Sequence, residues 1–172
     1  SPPEVLLVGE GASNAVQGSL SRFLDFPAPA PLRLQESALH SLTSATLAKS
    51  DLLILADPTQ LSPRFQELIH QFVGSGGGLL LALGPETNAA DCESLLSVLG
   101  APSIQIGEPQ KYADPSARLL IQDETWPPLA FFQDPRWKPL LTEIPIYAFR
   151  PISVETPNTN SFIQTPLTLV RD

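Results

Sequence analysis

The sequence predicts an α/β fold, a three-layer sandwich built on a mainly parallel central sheet, with an irregular β-containing extension at the C-terminus. Over residues 4–100, short apolar runs alternate with segments of helical periodicity, which is typical of a parallel sheet covered on both faces. Hydrophobic residues make up 42% of the 172 residues, enough for one packed core. The last 70 residues carry 10 of the 19 prolines and lose the helical period, so edge strands and long loops are expected there.

The first two strands and their helices are predicted within residues 5–49. The unbroken apolar run Val5–Val8 predicts a buried strand that ends where the chain turns at Gly9-Glu10-Gly11. A helix is predicted after Ser13, because apolar residues then recur at i, i+4, i+7 and i+8, namely Val16, Leu20, Phe23 and Leu24. Residues 32–35 alternate like a strand near the sheet edge, and a weakly patterned helix is expected within residues 37–49.

The next strands and helices have sharper boundaries in the sequence. The run Leu52–Ala56 predicts a third strand. Ser62 followed by Pro63 predicts the start of an amphipathic helix, which Gly74 ends. Three consecutive glycines then lead into Leu79–Leu83, which is predicted to be a fourth buried strand.

The rest of the chain is predicted to contain one more helix and several short strands. The helix uses apolar residues between 92 and 99 and ends at Gly100. Strands are expected at residues 117–121, 144–149 and 162–170, and the aromatic stretch 126–132 is expected to cap the core.

We expect one domain over residues 1–172, with residues 4–100 as its regular core and residues 103–172 packed on it. No internal repeat or low-complexity linker divides the chain. The sequence contains no methionine and starts at Ser1-Pro2-Pro3, so we expect a fragment of a longer protein.

Charge and composition exclude several classes of function. The 18 acidic residues outnumber the 10 Lys and Arg, giving a net charge of −8, which argues against a nucleic-acid partner. No apolar run is long enough to span a membrane, so a membrane link is expected only through flanking segments. The single cysteine, Cys92, excludes an internal disulfide and a multi-cysteine metal site.

Polar residues follow the predicted parallel strands where ligands bind in such folds, outside the carboxyl ends of the strands. The ligand-binding candidates are Glu10, Ser13, Asn14, Asp57 and Glu86. Their three carboxylates could hold a divalent cation, which prefers hard oxygen ligands. The alternative is that these carboxylates cap turns and helix N-termini, where negative charge is favourable.

The motifs of common cofactors and nucleophiles are incomplete, and no cofactor is predicted. Gly9 and Gly11 begin a G-x-G-x-x-G pattern, but Asn14 stands where its last glycine belongs. His70 lies off the apolar stripe of its helix and is expected to face water, whereas Cys92 lies on an apolar face and is interpreted as a core residue. No catalytic residue is assigned.

The segments Asp51–Asp57 and Phe72–Gly84 resemble class I glutamine amidotransferase-like domains, which have a flavodoxin-like sheet and a glycine-rich turn before a strand. The resemblance implies a cysteine nucleophile at the position of Leu83 and a later histidine, and this chain has neither. Residues 5–24, with Asn14 and Leu20, and residues 123–132 and 144–151 are more similar to the non-catalytic amidotransferase-like segment of bacterial Bat-type (aerotolerance-related) membrane proteins. That similarity covers residues 4–155.

The leading hypothesis is therefore a non-catalytic amidotransferase-like module of a bacterial membrane or envelope protein. It would act in interaction or assembly, with a protein partner or with other domains of the same chain. Two alternatives stay open: a small-molecule or metal-binding sensor at the carboxyl edge of the sheet, and a carboxylate-dependent hydrolase.

Overall fold

The computed structural model describes residues 2–9, 33–111, 117–121, 148–154 and 167–171. The chain divides into two compact units, unit 1 over Ser1–Ile106 and unit 2 over Gly107–Asp172. The boundary lies close to residue 103, where the sequence changes from a regular to an irregular pattern. That both parts form one domain stays a prediction.

Unit 1 is built on a parallel four-stranded sheet. Its strands are β1 (Glu4–Gly9), β2 (Arg33–Ala38), β3 (Leu52–Ala56) and β4 (Gly78–Ala82). They lie in the order β2-β1-β3-β4, and each neighbouring pair is parallel. The predicted α/β fold with a mainly parallel sheet is thereby confirmed, including the edge position of β2.

The helices of the described part of unit 1 follow β2, β3 and β4. A 3₁₀ helix (Leu39–Ser41) and the one-turn helix α1 (Ser44–Leu47) stand where a weakly patterned helix was expected within residues 37–49. Helix α2 spans Pro63–Gly74 and has the predicted bounds. Helix α3 spans Ala89–Val98, and the short strand β5 (Ile104–Ile106) comes after it.

Local chemistry explains where the two longer helices begin. The Ser62 hydroxyl accepts a hydrogen bond from the Phe65 N–H at 3.4 Å, and Pro63 occupies the first helical position of α2. Asn88 caps α3 by accepting a hydrogen bond from the Asp91 N–H at 3.2 Å. Each cap satisfies one of the amide donors that a helix N-terminus leaves without an intrahelical partner.

The main core lies between one face of the sheet and these helices. Strands, helices and loops all contribute side chains that are at most 7% exposed. They are Leu6, Val8, Leu39, Leu42, Leu47, Leu53, Leu55, Leu61, Ile69, Phe72, Cys92, Leu95 and Ile106. Burying each large aliphatic side chain contributes about 1.5–3 kcal/mol, so this cluster is the main source of stability in unit 1.

The opposite face of the sheet is also buried. Val5 and Leu7 of β1 and Ile54 and Ala56 of β3 form a second cluster, each at most 5% exposed. The helix predicted over residues 13–24 lies outside the described residues, so its packing on this face stays a prediction.

The prediction that the fourth strand is buried is wrong for β4. This strand occupies the edge of the four-stranded sheet, and its burial is only intermediate apart from Leu80, which is 48% exposed. Leu79 and Leu81 face the main core, so the alternating side chain Leu80 faces the other side. The apolar run therefore predicted the strand correctly but did not predict which of its faces are buried.

Unit 2 contains short antiparallel pairs. Strand β6 (Gln110–Lys111) pairs with β8 (Ala148–Phe149), and β7 (Ala117–Ile121) pairs with β10 (Leu167–Arg171). Strand β9 covers Ile152–Val154. The strand predicted at 117–121 is confirmed, as are the described ends of those predicted at 144–149 and 162–170. The aromatic stretch 126–132 lies outside the described residues.

Among the described residues, no helix combines the length and the apolar character that crossing a bilayer requires.

Candidate functional site

The strand order places the candidate site at the carboxyl ends of β1 and β3. The connection from β1 leads outward to β2, whereas the connection from β2 leads back across β1 to β3. Ligands bind at such a reversal in doubly wound sheets, in the crevice outside the strand ends. Here the strand ends are Gly9 and Ala56, and Asp57 follows directly.

Asp57 has an unusual backbone conformation and a buried side chain. Its φ is +50°, in the left-handed region, which aspartate tolerates better than most residues. Its N–H still donates to the Ala82 carbonyl at 2.8 Å, so it completes the β3–β4 ladder before the chain turns away. The residue is only 5% exposed, and its carboxylate therefore needs hydrogen-bond partners inside the protein.

Thr87 supplies the main partner of this carboxylate. Its hydroxyl donates to Asp57 Oδ1 at 2.7 Å and accepts from the Gly84 N–H at 2.8 Å. The Glu86 N–H donates to Asp57 Oδ2 at 3.3 Å. One buried hydroxyl thus joins the loop after β3 to the loop after β4.

The two loops are held together at further points. The Asn88 N–H donates to the Pro58 carbonyl at 2.9 Å. Gly84 leaves the space that the Asp57 carboxylate occupies, because a Cβ on Gly84 would lie 2.3 Å from Asp57 Cγ. We call this arrangement of Asp57, Gly84 and Thr87 the Asp57 clasp.

The structure separates the sequence-predicted candidates. Asp57 lies at the strand end as predicted, but its carboxylate binds the neighbouring loop. Glu86 lies close to it through its backbone N–H, while the residue itself is exposed. Glu10, Ser13 and Asn14 lie outside the described residues, so their part in a site stays a prediction. For Asp57, the turn-capping alternative is the one that the contacts favour.

The described residues hold no cluster suited to a metal ion. Across the ranges that the structure covers, no three His, Cys, Asp or Glu side chains are grouped closely enough. Asp91, the next acidic residue after Glu86, accepts a hydrogen bond from the Leu61 N–H at 2.8 Å.

Leu83 directly follows β4 at the position that the amidotransferase resemblance gives to the nucleophile. The side chain is half-buried and packs against the main core cluster. Leucine has no atom that can attack an electrophile or accept a proton. The following residues, Gly84 to Thr87, belong to the Asp57 clasp.

Three further side chains of the described residues could do nucleophilic or acid-base chemistry: Cys92, His70 and His40. Cys92 is fully buried at 0% exposure in the main core, which confirms its interpretation as a core residue. His70 is exposed on α2, as predicted, and His40 is exposed in the 3₁₀ helix.

Cys92 provides a direct check on this core. Its thiol is expected not to react with Ellman's reagent in the native protein, because it has no contact with solvent. It is expected to react fully in denaturant, and the reaction is followed by absorbance. One thiol titrating at once in native buffer would contradict the described packing of α3.

Sequence reasoning missed Thr87. The signal that could have found it is the segment Gly84-Pro85-Glu86-Thr87, in which a hydroxyl residue stands three positions after a turn glycine. Serine and threonine side chains often bond backbone groups at such turns. The partner Asp57 is 30 residues earlier, so the pairing itself could not be seen.

Comparison with known proteins adds no assignment. No protein-family model matches this chain, and no curated protein matches it at a significant level. The amidotransferase resemblance therefore stays a proposal.

Proposed function

We propose that this chain is a non-catalytic amidotransferase-like α/β module of a bacterial membrane or envelope protein, acting in protein interaction or assembly. One observation carries the proposal. Where the resemblance requires a nucleophile, Leu83 packs against the core, and the turn beyond it is fastened to Asp57. In active amidotransferases the turn after this strand carries the nucleophile. In this chain the same turn holds a leucine that packs against the core, and the turn binds a carboxylate with a structural role.

The clasp explains why Asp57 is a poor candidate for acid-base chemistry. A catalytic base must reach the proton that it removes, within about 3 Å or through one water. Asp57 is 5% exposed, and each of its carboxylate oxygens accepts a bond from the β4–α3 loop. This arrangement supports a structural carboxylate over a hydrolytic one.

Surface charge supports an interaction partner. The net charge of −8 favours association with basic surfaces through long-range attraction. Exposed Leu80 on the edge strand and Val98 at the end of α3 add apolar area outside the clasp.

Purified protein is expected to release no ammonia from glutamine or from a panel of primary amides. The reason is that Leu83 cannot form the covalent intermediate. A coupled glutamate dehydrogenase assay measures this, with the same preparation shown to be folded by circular dichroism. Leu83→Cys is expected to stay inactive, because the chain has no histidine after His70 to serve as the base that the resemblance implies.

Ammonia release by the unmodified chain that is abolished in Asp57→Asn would overturn the proposal. Asp57→Asn retains acceptor and shape but loses the charge, so its fold is checked alongside by urea denaturation. A matched Glu67→Gln variant, exposed on α2, controls for the loss of one carboxylate.

A further inference from the structure

A cavity lies in unit 1 beside helix α3. It has a volume of about 580 Å³ and lies between α3 and the segment that leads into β5. That volume is within the range of about 300–1,000 Å³ that is usual for ligand pockets. Its lining includes Glu93, Ser97, Ser103 and Ile104.

Glu93 is held in place in the wall of this cavity. Its Oε1 accepts a hydrogen bond from the Ile106 N–H at 2.7 Å, which ties α3 to β5. Over the described ranges, Glu93 makes no other hydrogen bond and no ion pair. A half-buried carboxylate that is fixed by one oxygen presents the second oxygen to a ligand at little cost in side-chain entropy.

The rest of the lining suits a long polar side chain. Ser97 and Ser103 are exposed hydroxyl residues that can accept hydrogen bonds. Pro102 and Ile104 add apolar surface against which methylene groups can pack. The Ser94 hydroxyl already donates a hydrogen bond to Gln66 Oε1 at 3.0 Å, so Ser94 lines the cavity without being a group that we expect to bind the ligand.

The charged residues of this part of the chain indicate which charge a ligand in the cavity should carry. The chain has no Lys or Arg between Arg64 and Lys111. The same stretch contains the acidic residues Glu67, Glu86, Asp91, Glu93 and Glu108. Glu93 has no ion pair among the described residues, and the negative charge of this stretch favours a cationic ligand over an anionic one.

We propose that this cavity binds an arginine side chain from a basic segment of a partner protein. A guanidinium can donate to Glu93 Oε2 and to a serine hydroxyl together, whereas an ammonium is a compact and strongly hydrated charge. The arginine methylenes would lie on Pro102 and Ile104. The inference rests on the proposed function, since it names the chemistry of the partner that an interaction module would recognise.

The probe is a fluorescein-labelled peptide of alternating glycine and arginine, whose binding is followed by fluorescence anisotropy. Its citrulline counterpart keeps the shape and removes the charge, and a lysine counterpart keeps the charge and removes the planar fork. The arginine peptide is expected to bind most tightly and the citrulline peptide least. Affinity is expected to fall as salt is added, because the attraction is screened.

Two variants and one control test whether the arginine peptide binds in this cavity. Glu93→Gln keeps an acceptor for the Ile106 N–H but loses the charge, and it is expected to weaken the arginine peptide by about fivefold. Ser97→Leu fills the cavity from an exposed position of α3 and leaves Glu93 in place, and it is expected to weaken binding as well. Glu67→Gln removes the same charge from α2 and is expected to bind like the unmodified protein.

Equal binding of the arginine and citrulline peptides would overturn the inference, and so would equal losses in Glu93→Gln and Glu67→Gln. Argininamide binding as tightly as the peptide would assign the cavity to a free small cation and would also overturn it. Each of these outcomes leaves the proposed function standing. Ammonia release from amides would instead remove the proposed function, whichever peptide binds.

Discussion

Replacing Thr87 with valine is expected to lower the free energy of unfolding by about 2–4 kcal/mol. The substitution conserves shape but removes the hydroxyl that donates to Asp57 Oδ1 and accepts from the Gly84 N–H. Both groups are buried, so neither can readily turn to water for a new partner. A buried polar group that loses its partner costs about 1–3 kcal/mol, and more when it is charged.

The matched variant is Thr87→Ser, which keeps the hydroxyl and removes only a methyl group. It is expected to cost less than about 1.5 kcal/mol. Urea denaturation followed by circular dichroism gives both free energies. If valine and serine destabilise the protein equally, the effect comes from packing, and the hydrogen bonds of the Asp57 clasp are not its source.

Local sequence was sufficient to predict the helices and strands whose ends are determined by the residues at those ends. Helix α2 has its predicted bounds because Ser62, Pro63 and Gly74 mark its ends by capping chemistry. Strand β3 also has its predicted bounds, since an apolar run between turn residues has few alternatives. The 37–49 segment was predicted poorly because its apolar residues follow no helical period and pack as two short turns.

The clasp and the cavity could not be predicted, because they depend on pairs of residues distant in sequence. Asp57 was identified as a site candidate by its place after β3, but its partner depends on how the loop after β4 folds back. The exposure of Leu80 depends on β4 being an edge strand, which strand order decides and composition does not. Glu93 borders a cavity only because α3 and the segment before β5 pack next to each other.

Substituting Gly77 with alanine is expected to destabilise the protein by about 2–3 kcal/mol. Gly77 lies in the glycine-rich turn between α2 and β4, where its N–H donates to the Phe72 carbonyl at 3.1 Å. An added Cβ would lie 2.3 Å from Phe72 Cζ, far inside van der Waals contact. The Phe72 ring is 6% exposed in the main core, so it cannot move aside without disturbing its neighbours.

Gly74→Ala in the same segment is the matched control, and it is expected to have the opposite sign. Gly74 is the last residue of α2, and no atom lies within 4 Å of the position of its added Cβ. Alanine there is expected to stabilise the protein by about 0.5–1 kcal/mol, because it restricts the unfolded chain and favours the helix. Thermal denaturation of both variants measures the difference. A neutral Gly77→Ala would mean that the Phe72 ring makes room for the added methyl group at little cost, and a destabilised Gly74→Ala would mean that the end of α2 requires glycine for its backbone.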